Sequence, residues 1–182
     1  GTFSKTLSPQ LRLGYMVLPR SLVDTFVAAK RVADRHAATG LQRALAVLLH
    51  DGSYDRHVRR MRRLQQARQR ALSDALARHF GDRVTIQGAA SGLHLVAWLP
   101  GLPASSEPAL VQAARERGVR VYPVGPLYLP GRARSRTTVQ RPAGFVMGYA
   151  LLGTDAIEDG ARRLLLALND LESRDKLTLS KV

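Results

Sequence analysis

The chain has 182 residues, 45% of them hydrophobic, which is enough to bury a core of one or two domains and excludes an intrinsically disordered protein. It contains no cysteine, so disulfides and thiolate metal sites are excluded, and no apolar run approaches the roughly 20 residues that cross a bilayer. Its 28 basic and 14 acidic residues give a formal net charge of +14, which favours contact with polyanions. The N-terminus lacks the pattern of a secretory signal, so we expect a cytoplasmic protein with no membrane partner.

The first half of the chain has the apolar periodicity of helices. It predicts three of them, over residues 21–34, 39–49 and 53–80. The third is the longest, with apolar residues recurring at threes and fours on one side and arginines on the other. Ser21 is in position to cap the first helix, and Gly81 is in position to end the third.

The second half alternates short strands with helices. Strands are predicted over residues 84–86, 93–99, 119–122 and 145–151, and helices over residues 108–117 and 154–171. Residues 125–142 carry four arginines together with prolines and glycines, which predicts an exposed loop. Trp98 is expected in the core, and the residues after Glu172 are expected to form a frayed tail. The second half therefore has the rhythm of an α+β unit.

The most informative segment is residues 1–15, which read GTFSKTLSPQLRLGY. Lys5 can form a Schiff base with an aldehyde cofactor. The hydroxyl groups of Thr2 and Ser4 and the guanidinium of Arg12 can hold a phosphate, because an arginine fork matches phosphate oxygens. We therefore predict pyridoxal 5'-phosphate as the cofactor and Lys5 as the catalytic residue. The predicted cofactor-binding residues are Thr2, Ser4, Lys5 and Arg12.

This segment resembles the cofactor-lysine region of fold-type I pyridoxal-phosphate proteins, the aminotransferase class I/II superfamily. Within that superfamily it is most similar to the aminotransferase-like domain of MocR/PdxR-type transcription regulators, which belong to the GntR superfamily. The likeness is carried by the motif GTFSK-x-L-x-P-x-LR-x-GY and by the spacing of seven from lysine to arginine. It continues more weakly through residues 92–94 and 147–150.

The resemblance implies an α/β fold that is the C-terminal part of a fold-type I transferase. Residues 1–52 would end the large cofactor-binding domain, residues 53–80 would form the long connecting helix, and residues 81–182 the small α+β domain. It also implies a head-to-tail homodimer and, in a regulator, contact with DNA through an N-terminal winged helix-turn-helix absent from this chain. The family's residues that hold the cofactor ring would lie upstream of Lys5, so we expect the chain to be part of a longer polypeptide.

One position departs from the pattern of the enzymes. Typical aminotransferases place an arginine in the strand that resembles residues 145–149, where it binds the substrate carboxylate, and the equivalent position here is Val146. The other candidates for that role are arginines of the preceding loop, Arg132, Arg134, Arg136 and Arg141. Spacing selects none of them, and this weakens the case for ordinary amino-acid transamination.

Two further features leave alternatives open. A run of arginines between residues 56 and 70 is either a solvated basic helix face or an auxiliary contact to DNA. It contains neither interleaved aromatic residues nor the spacing of a helix-turn-helix. The histidines have no partners at metal-ligand spacing, so no metal site is predicted.

The sequence therefore favours a pyridoxal-phosphate-binding effector domain of a MocR/PdxR-like regulator, with a small amine or amino acid as a ligand. An active aminotransferase, for example one acting on 2-aminoadipate, is the second interpretation. The third is a basic interaction module that keeps the fold without the cofactor, and the intact Lys5 and Arg12 disfavour it.

Overall fold

The computed structural model describes residues 1–35, 38–88, 92–128 and 141–179, with side chains through residue 174. Within these ranges the helices are α1 (Arg20–Asp34), α2 (Thr39–His50), α3 (Ser53–Phe80), α4 (Glu107–Glu116) and α5 (Thr154–Leu179). The strands are β1 (Thr85–Gln87), β2 (His94–Pro103), β3 (Tyr122–Pro123) and β4 (Pro142–Gly148). The chain divides into two compact units, Gly1–Arg63 and Leu64–Val182.

The structure confirms the three N-terminal helices that the apolar periodicity predicts, and α3 has the predicted bounds. Gly81 follows α3 with a φ of 54°, a left-handed conformation that suits glycine and ends the helix as predicted. The cap predicted for α1 is wrong. This helix begins at Arg20, so Ser21 lies inside it, and Pro19 at the N-cap position makes no side-chain hydrogen bond.

The four strands form one antiparallel sheet in the order β1-β2-β4-β3. Side chains alternate across the sheet, as the period of two requires. Along β2, Leu95, Ala97 and Leu99 are buried, whereas Val96 and Trp98 are only half-buried. The sheet therefore has a core face and an open face.

The core of the second unit lies between the core face of the sheet and three helix segments, which are the second half of α3, α4 and α5. Its buried side chains include Leu76, Phe80, Leu95, Leu110, Phe145, Leu164 and Leu168. The expected core position of Trp98 is wrong, because this residue lies on the open face. The ring covers Gly144 of β4, where a Cβ atom would come within 2.4 Å of it.

Two other elements differ from expectation. Only Tyr122 of the strand predicted over residues 119–122 pairs with the sheet, because the Val119 N–H closes the end of α4 on the Ala114 carbonyl at 2.9 Å. The frayed tail is also wrong through Leu179, because α5 continues to that residue and Arg83 pairs with Glu172 at 2.7 Å. Of the predicted loop, residues 129–140 lie outside the described residues.

None of the helices in the described ranges combines the length and the apolar character needed to cross a membrane.

Candidate functional site

Backbone pairing holds both ends of the segment that contains the predicted catalytic lysine. The Phe3 N–H donates to the Leu13 carbonyl at 3.1 Å, and Thr2 forms an isolated antiparallel bridge with Gly14. Glycine permits this approach, because a Cβ atom on Gly14 would lie 2.8 Å from the carbonyl oxygen of Gly1. The residues between the two paired segments therefore form a closed loop, which we call the lysine loop (residues 4–12).

Two of the predicted site residues meet at the start of the lysine loop. The hydroxyl groups of Thr2 and Ser4 are 3.0 Å apart, and Thr2 Oγ1 also accepts the Ser4 N–H at 3.2 Å. Thr2 is exposed and Ser4 is half-buried, so the pair is open to a ligand. Two adjacent hydroxyls that can each donate a hydrogen bond are suited to neighbouring oxygens of a phosphate.

Lys5 follows this pair in a tight turn. The Phe3 carbonyl accepts from the N–H groups of Thr6 and Leu7 at 3.3 and 2.8 Å, and this fixes the backbone on either side of the lysine. The Lys5 side chain is exposed and has no hydrogen-bond or ion-pair partner among the described residues. Its amine is therefore available to a ligand.

Arg12 is held in an unusual backbone conformation at the other end of the lysine loop. Its φ and ψ are 50° and 33°, in the left-handed region, and its N–H closes a turn of 3-10 helix on Pro9. Such a conformation costs a residue with a Cβ roughly 1–2 kcal/mol. The guanidinium is exposed and unpaired within the described part of the chain. Strain that is maintained at a charged residue is typical of functional sites.

The first turns of α3 brace the lysine loop through Thr6. Tyr54 Oη donates to Thr6 Oγ1 at 3.1 Å, and His57 Nε2 lies 3.0 Å from the Thr6 carbonyl. Because a carbonyl only accepts, the proton of this hydrogen bond is on His57 Nε2. The Tyr54 ring also packs edge-on against Phe3, with centroids 5.8 Å apart. Neither Tyr54 nor His57 was predicted from the sequence as a support of the site.

The loop fits a phosphate-bearing aldehyde better than it fits a metal ion. It offers a free amine, a pair of hydroxyls and a guanidinium, and residues 1–23 contain no Asp or Glu to compete with an anion. These are the groups that bind a phosphate and react with a carbonyl. In the part of the chain that the structure describes, no group of three His, Asp or Glu side chains is placed to hold a metal.

The second unit contains Val146, at which the resemblance led us to expect the carboxylate-binding arginine of the enzymes. Val146 lies in β4 on the open face of the sheet, opposite Val96 of β2 and Tyr122 of β3. It is half-buried and carries no charge. The loop candidates Arg132, Arg134 and Arg136 lie outside the described residues.

Arg141, the remaining candidate, is already bound to a carboxylate. Its Nη1 atom donates to Glu107 Oε1 at 2.6 Å, and its guanidinium lies 5.0 Å from the Tyr128 ring centroid. Burial by itself raises the pKa of Glu107, but hydrogen bonds from Arg141 and from the N–H groups of Gly144 and Gly125 outweigh it and leave the pKa below its ordinary value. Glu107 is therefore ionised at neutral pH and holds Arg141 in place.

Residues 1–142 match the aminotransferase class I and II family. Over 168 residues the chain is 34% identical to an uncharacterised HTH-type transcriptional regulator, YhdI, of Bacillus subtilis, a match that covers 92% of this chain and 34% of the regulator. It is 33% identical over 183 residues to the probable rhizopine catabolism regulatory protein MocR of Rhizobium meliloti, covering 100% of this chain and 35% of that one. The chain thus spans about a third of the length of these two regulators.

A solved structure gives a similar result. The α-aminoadipate aminotransferase LysN from Thermus thermophilus, complexed with N-(5'-phosphopyridoxyl)-L-leucine, matches with a TM-score of 0.74 and 30% sequence identity. The match covers 94% of this chain and 41% of that enzyme.

Proposed function

The chain belongs to the aminotransferase class I and II family, and from this premise we propose that it is the pyridoxal-phosphate-binding domain of a MocR/PdxR-like transcription regulator. Its fold is that of the C-terminal part of a fold-type I aminotransferase. The regulators YhdI and MocR support the assignment to that branch, because the likeness extends over 92% and 100% of this chain.

The lysine loop is the observation that carries the proposal. In our assignment Thr2, Ser4 and Arg12 bind the phosphate of the cofactor, and Lys5 Nζ holds its carbonyl carbon covalently. When bound, pyridoxal phosphate supplies an electron sink for a negative charge on the carbon next to an amine. An incoming amine would replace Lys5 Nζ on the carbonyl carbon, and the freed Lys5 amine would then take a proton from the neighbouring carbon or return it. Tyr54 and His57 keep the loop backbone in place during this exchange.

In the proposed regulator, ligand binding to this domain would change DNA binding by another domain. We propose a homodimer in the cytoplasm, in which binding of the cofactor, or of a small amine or amino acid on it, changes how the two subunits are arranged. That arrangement would set the spacing of DNA-binding domains N-terminal to this chain. The similarity to YhdI, an HTH-type transcriptional regulator, supports this part of the proposal.

Covalent attachment of the cofactor at Lys5 provides the test. The protein is incubated with pyridoxal phosphate, reduced with borohydride and digested, and the adduct is located by mass spectrometry. We expect an adduct on Lys5 and none in Lys5→Ala. Lys30→Ala is the matched control, because Lys30 is also an exposed lysine but pairs with Asp34 at 2.5 Å. An adduct that persists in Lys5→Ala, or that moves to Lys30 in the wild type, would refute the assignment.

The second candidate function is an active aminotransferase, which the similarity to LysN favours. In that case the protein with pyridoxal phosphate should release 2-oxo acids from an amino acid over many turnovers. Val146 and the bound state of Arg141 argue against it, since neither offers a free cation to a substrate carboxylate. A panel of amino acids, 2-aminoadipate included, distinguishes the two functions. Steady turnover would place the enzyme first.

A further inference from the structure

The first turns of α3 concentrate positive charge on one side of the helix. Between residues 56 and 63, the exposed residues are all arginines, namely Arg56, Arg59, Arg60, Arg62 and Arg63. The other three, His57, Val58 and Met61, are half-buried. At 3.6 residues per turn, the arginines span about 160° of the helix surface and the other three lie on the opposite side. We call this surface the arginine face.

The described residues leave most of this charge unpaired. Arg56 donates to the Asp51 backbone carbonyl at 3.2 Å and to Ser53 Oγ at 2.8 Å, so both of these hydrogen bonds go to neutral groups. The other four arginines have no hydrogen-bond or ion-pair partner among the described residues. By contrast, Arg78 near the end of the same helix pairs with Glu158 at 2.7 Å.

The arginine face works against the stability of its own helix. Arg56 and Arg60 are four residues apart, as are Arg59 and Arg63, and like charges at this spacing repel on a helix surface. Between residues 51 and 63 the carboxylates are Asp51 and Asp55, so this segment has two negative charges and five arginines. A surface that is unfavourable within the protein is explained if an anionic partner neutralises it.

The composition of the face indicates which polyanion it suits. Single-stranded nucleic acids are bound by aromatic side chains that stack on bases, and none is exposed between residues 56 and 63. Helices that bind membrane surfaces insert exposed apolar side chains, but the apolar residues here are the half-buried ones. The exposed groups of this helix segment are therefore guanidinium groups on one side of the helix, and such groups suit the closely spaced phosphates of double-stranded DNA.

We propose that the arginine face binds the phosphate backbone of double-stranded DNA and does not read its sequence. The proposal rests on the regulator function proposed above, in which other residues supply sequence recognition. Each arginine that contacts a phosphate should steepen the dependence of affinity on salt, because DNA releases condensed counterions when its phosphates are neutralised. Arg59 and Arg63 are the central pair, since both are exposed, lie about one helical turn apart and have no partner in the described ranges.

The test is the salt dependence of DNA binding by the full-length protein. Affinity is measured between about 50 and 300 mM KCl on two duplexes of about 30 base pairs, one of scrambled sequence and one from upstream of the protein's own gene. In Arg59→Gln/Arg63→Gln, the slope of log affinity against log salt should become less negative by about 1.8 on both duplexes, at 0.9 per lost contact. Arg59→Lys/Arg63→Lys should keep most of the slope, because a phosphate contact needs the charge.

Arg78→Gln is the matched control, because it removes an arginine from the same helix whose charge Glu158 already neutralises. It should leave the slope unchanged. If the wild type binds DNA and the double glutamine variant has the same slope, the arginine face is not a DNA contact and the regulator function stands. If that variant instead loses binding to phosphatidylglycerol vesicles while its DNA slope is unchanged, the partner is a membrane and the proposal fails. If the wild type binds neither duplex, the regulator function fails with it.

Discussion

Glutamine in place of Glu107 should cost the protein a large part of its stability. Glu107 begins α4 and is only 3% exposed. Its Oε1 atom accepts from Arg141 Nη1 at 2.6 Å and from the Gly144 N–H at 2.9 Å, and its Oε2 atom accepts from the Gly125 N–H at 2.9 Å. A glutamine amide has one oxygen and one NH2 group, so at least one of these three donors would face another donor.

The size of the loss follows from these contacts. Breaking one side of a buried ion pair costs about 3–5 kcal/mol, and an unpaired buried N–H about 1–3 kcal/mol. The Arg141 side chain is 25% exposed, so water recovers part of this loss. We take a net loss of about 3 kcal/mol. With an unfolding entropy of about 2.1 cal/mol/K per residue, this corresponds to a fall in Tm of about 8 °C for a chain of 182 residues.

Thermal unfolding at pH 7, followed by circular dichroism, measures this loss. Glu158→Gln is the matched control, because Glu158 also binds an arginine but from an exposed position at the surface, and its replacement should lower Tm far less. Equal shifts in the two variants, or a loss in Glu107→Gln below about 1 kcal/mol, would mean that the buried carboxylate does not hold these elements together.

The stability difference between the wild type and Glu107→Gln should depend on pH. The pKa of Glu107 is lowered by folding from an ordinary value of 4.5. Its contribution to stability is therefore complete above the unfolded pKa and is lost as the pH falls through the folded pKa. The difference in unfolding free energy between the wild type and Glu107→Gln should stay constant near neutral pH and shrink at pH values below about 4.5. A difference that grows on acidification would contradict the stated direction of the pKa shift.

Three other substitutions test the lysine loop and the sheet. Arg12→Gly should raise the unfolding free energy by about 1 kcal/mol, because glycine relieves the left-handed strain. The same substitution removes the guanidinium, so it should weaken pyridoxal-phosphate binding at least tenfold. A Tm that falls together with the affinity would argue against the strain. Tyr54→Phe keeps the ring but removes the hydrogen bond to Thr6, so it should weaken cofactor binding severalfold in a fluorescence titration, and unchanged affinity would dismiss the bracing role. Gly144→Ala should destabilise the protein by about 1–3 kcal/mol and shift the emission of Trp98, because the added Cβ overlaps its ring; an unchanged spectrum would place that ring elsewhere.

The helices could be predicted from the sequence because their signals are local. In α3 the apolar spacing and the glycine at residue 81 lie within the helix or next to it. The strand predicted over residues 119–122 failed because its apolar alternation competes with the end of α4, which takes the Val119 N–H. The tail after Glu172 failed for a similar reason, since the contact from Arg83 that supports the helix comes from 89 residues away.

The candidate site also contains some residues with a local sequence signal and others whose role depends on contacts between distant parts of the chain. Its reactive residues form one short motif, so chemistry alone selects Thr2, Ser4, Lys5 and Arg12. Tyr54 and His57 were missed because their hydrogen bonds to Thr6 span 48 and 51 residues. The left-handed backbone at Arg12 was missed as well, because an arginine gives no sequence signal for a positive φ. The residues that we propose as the reactive ones could thus be predicted from the sequence, whereas the residues that contact and support their loop needed the structure.

The state of Arg141 affects the choice between a sensor and an enzyme. A substrate carboxylate that used this arginine would have to displace Glu107, which would leave a buried carboxylate without its cation. A penalty of about 3 kcal/mol would weaken such a ligand by roughly two orders of magnitude. Val146 offers no alternative, because a half-buried apolar side chain rejects a charged group. Within the described residues of the second unit, neither of these two positions therefore offers a free cation to a substrate carboxylate, which weakens the case for amino-acid transamination.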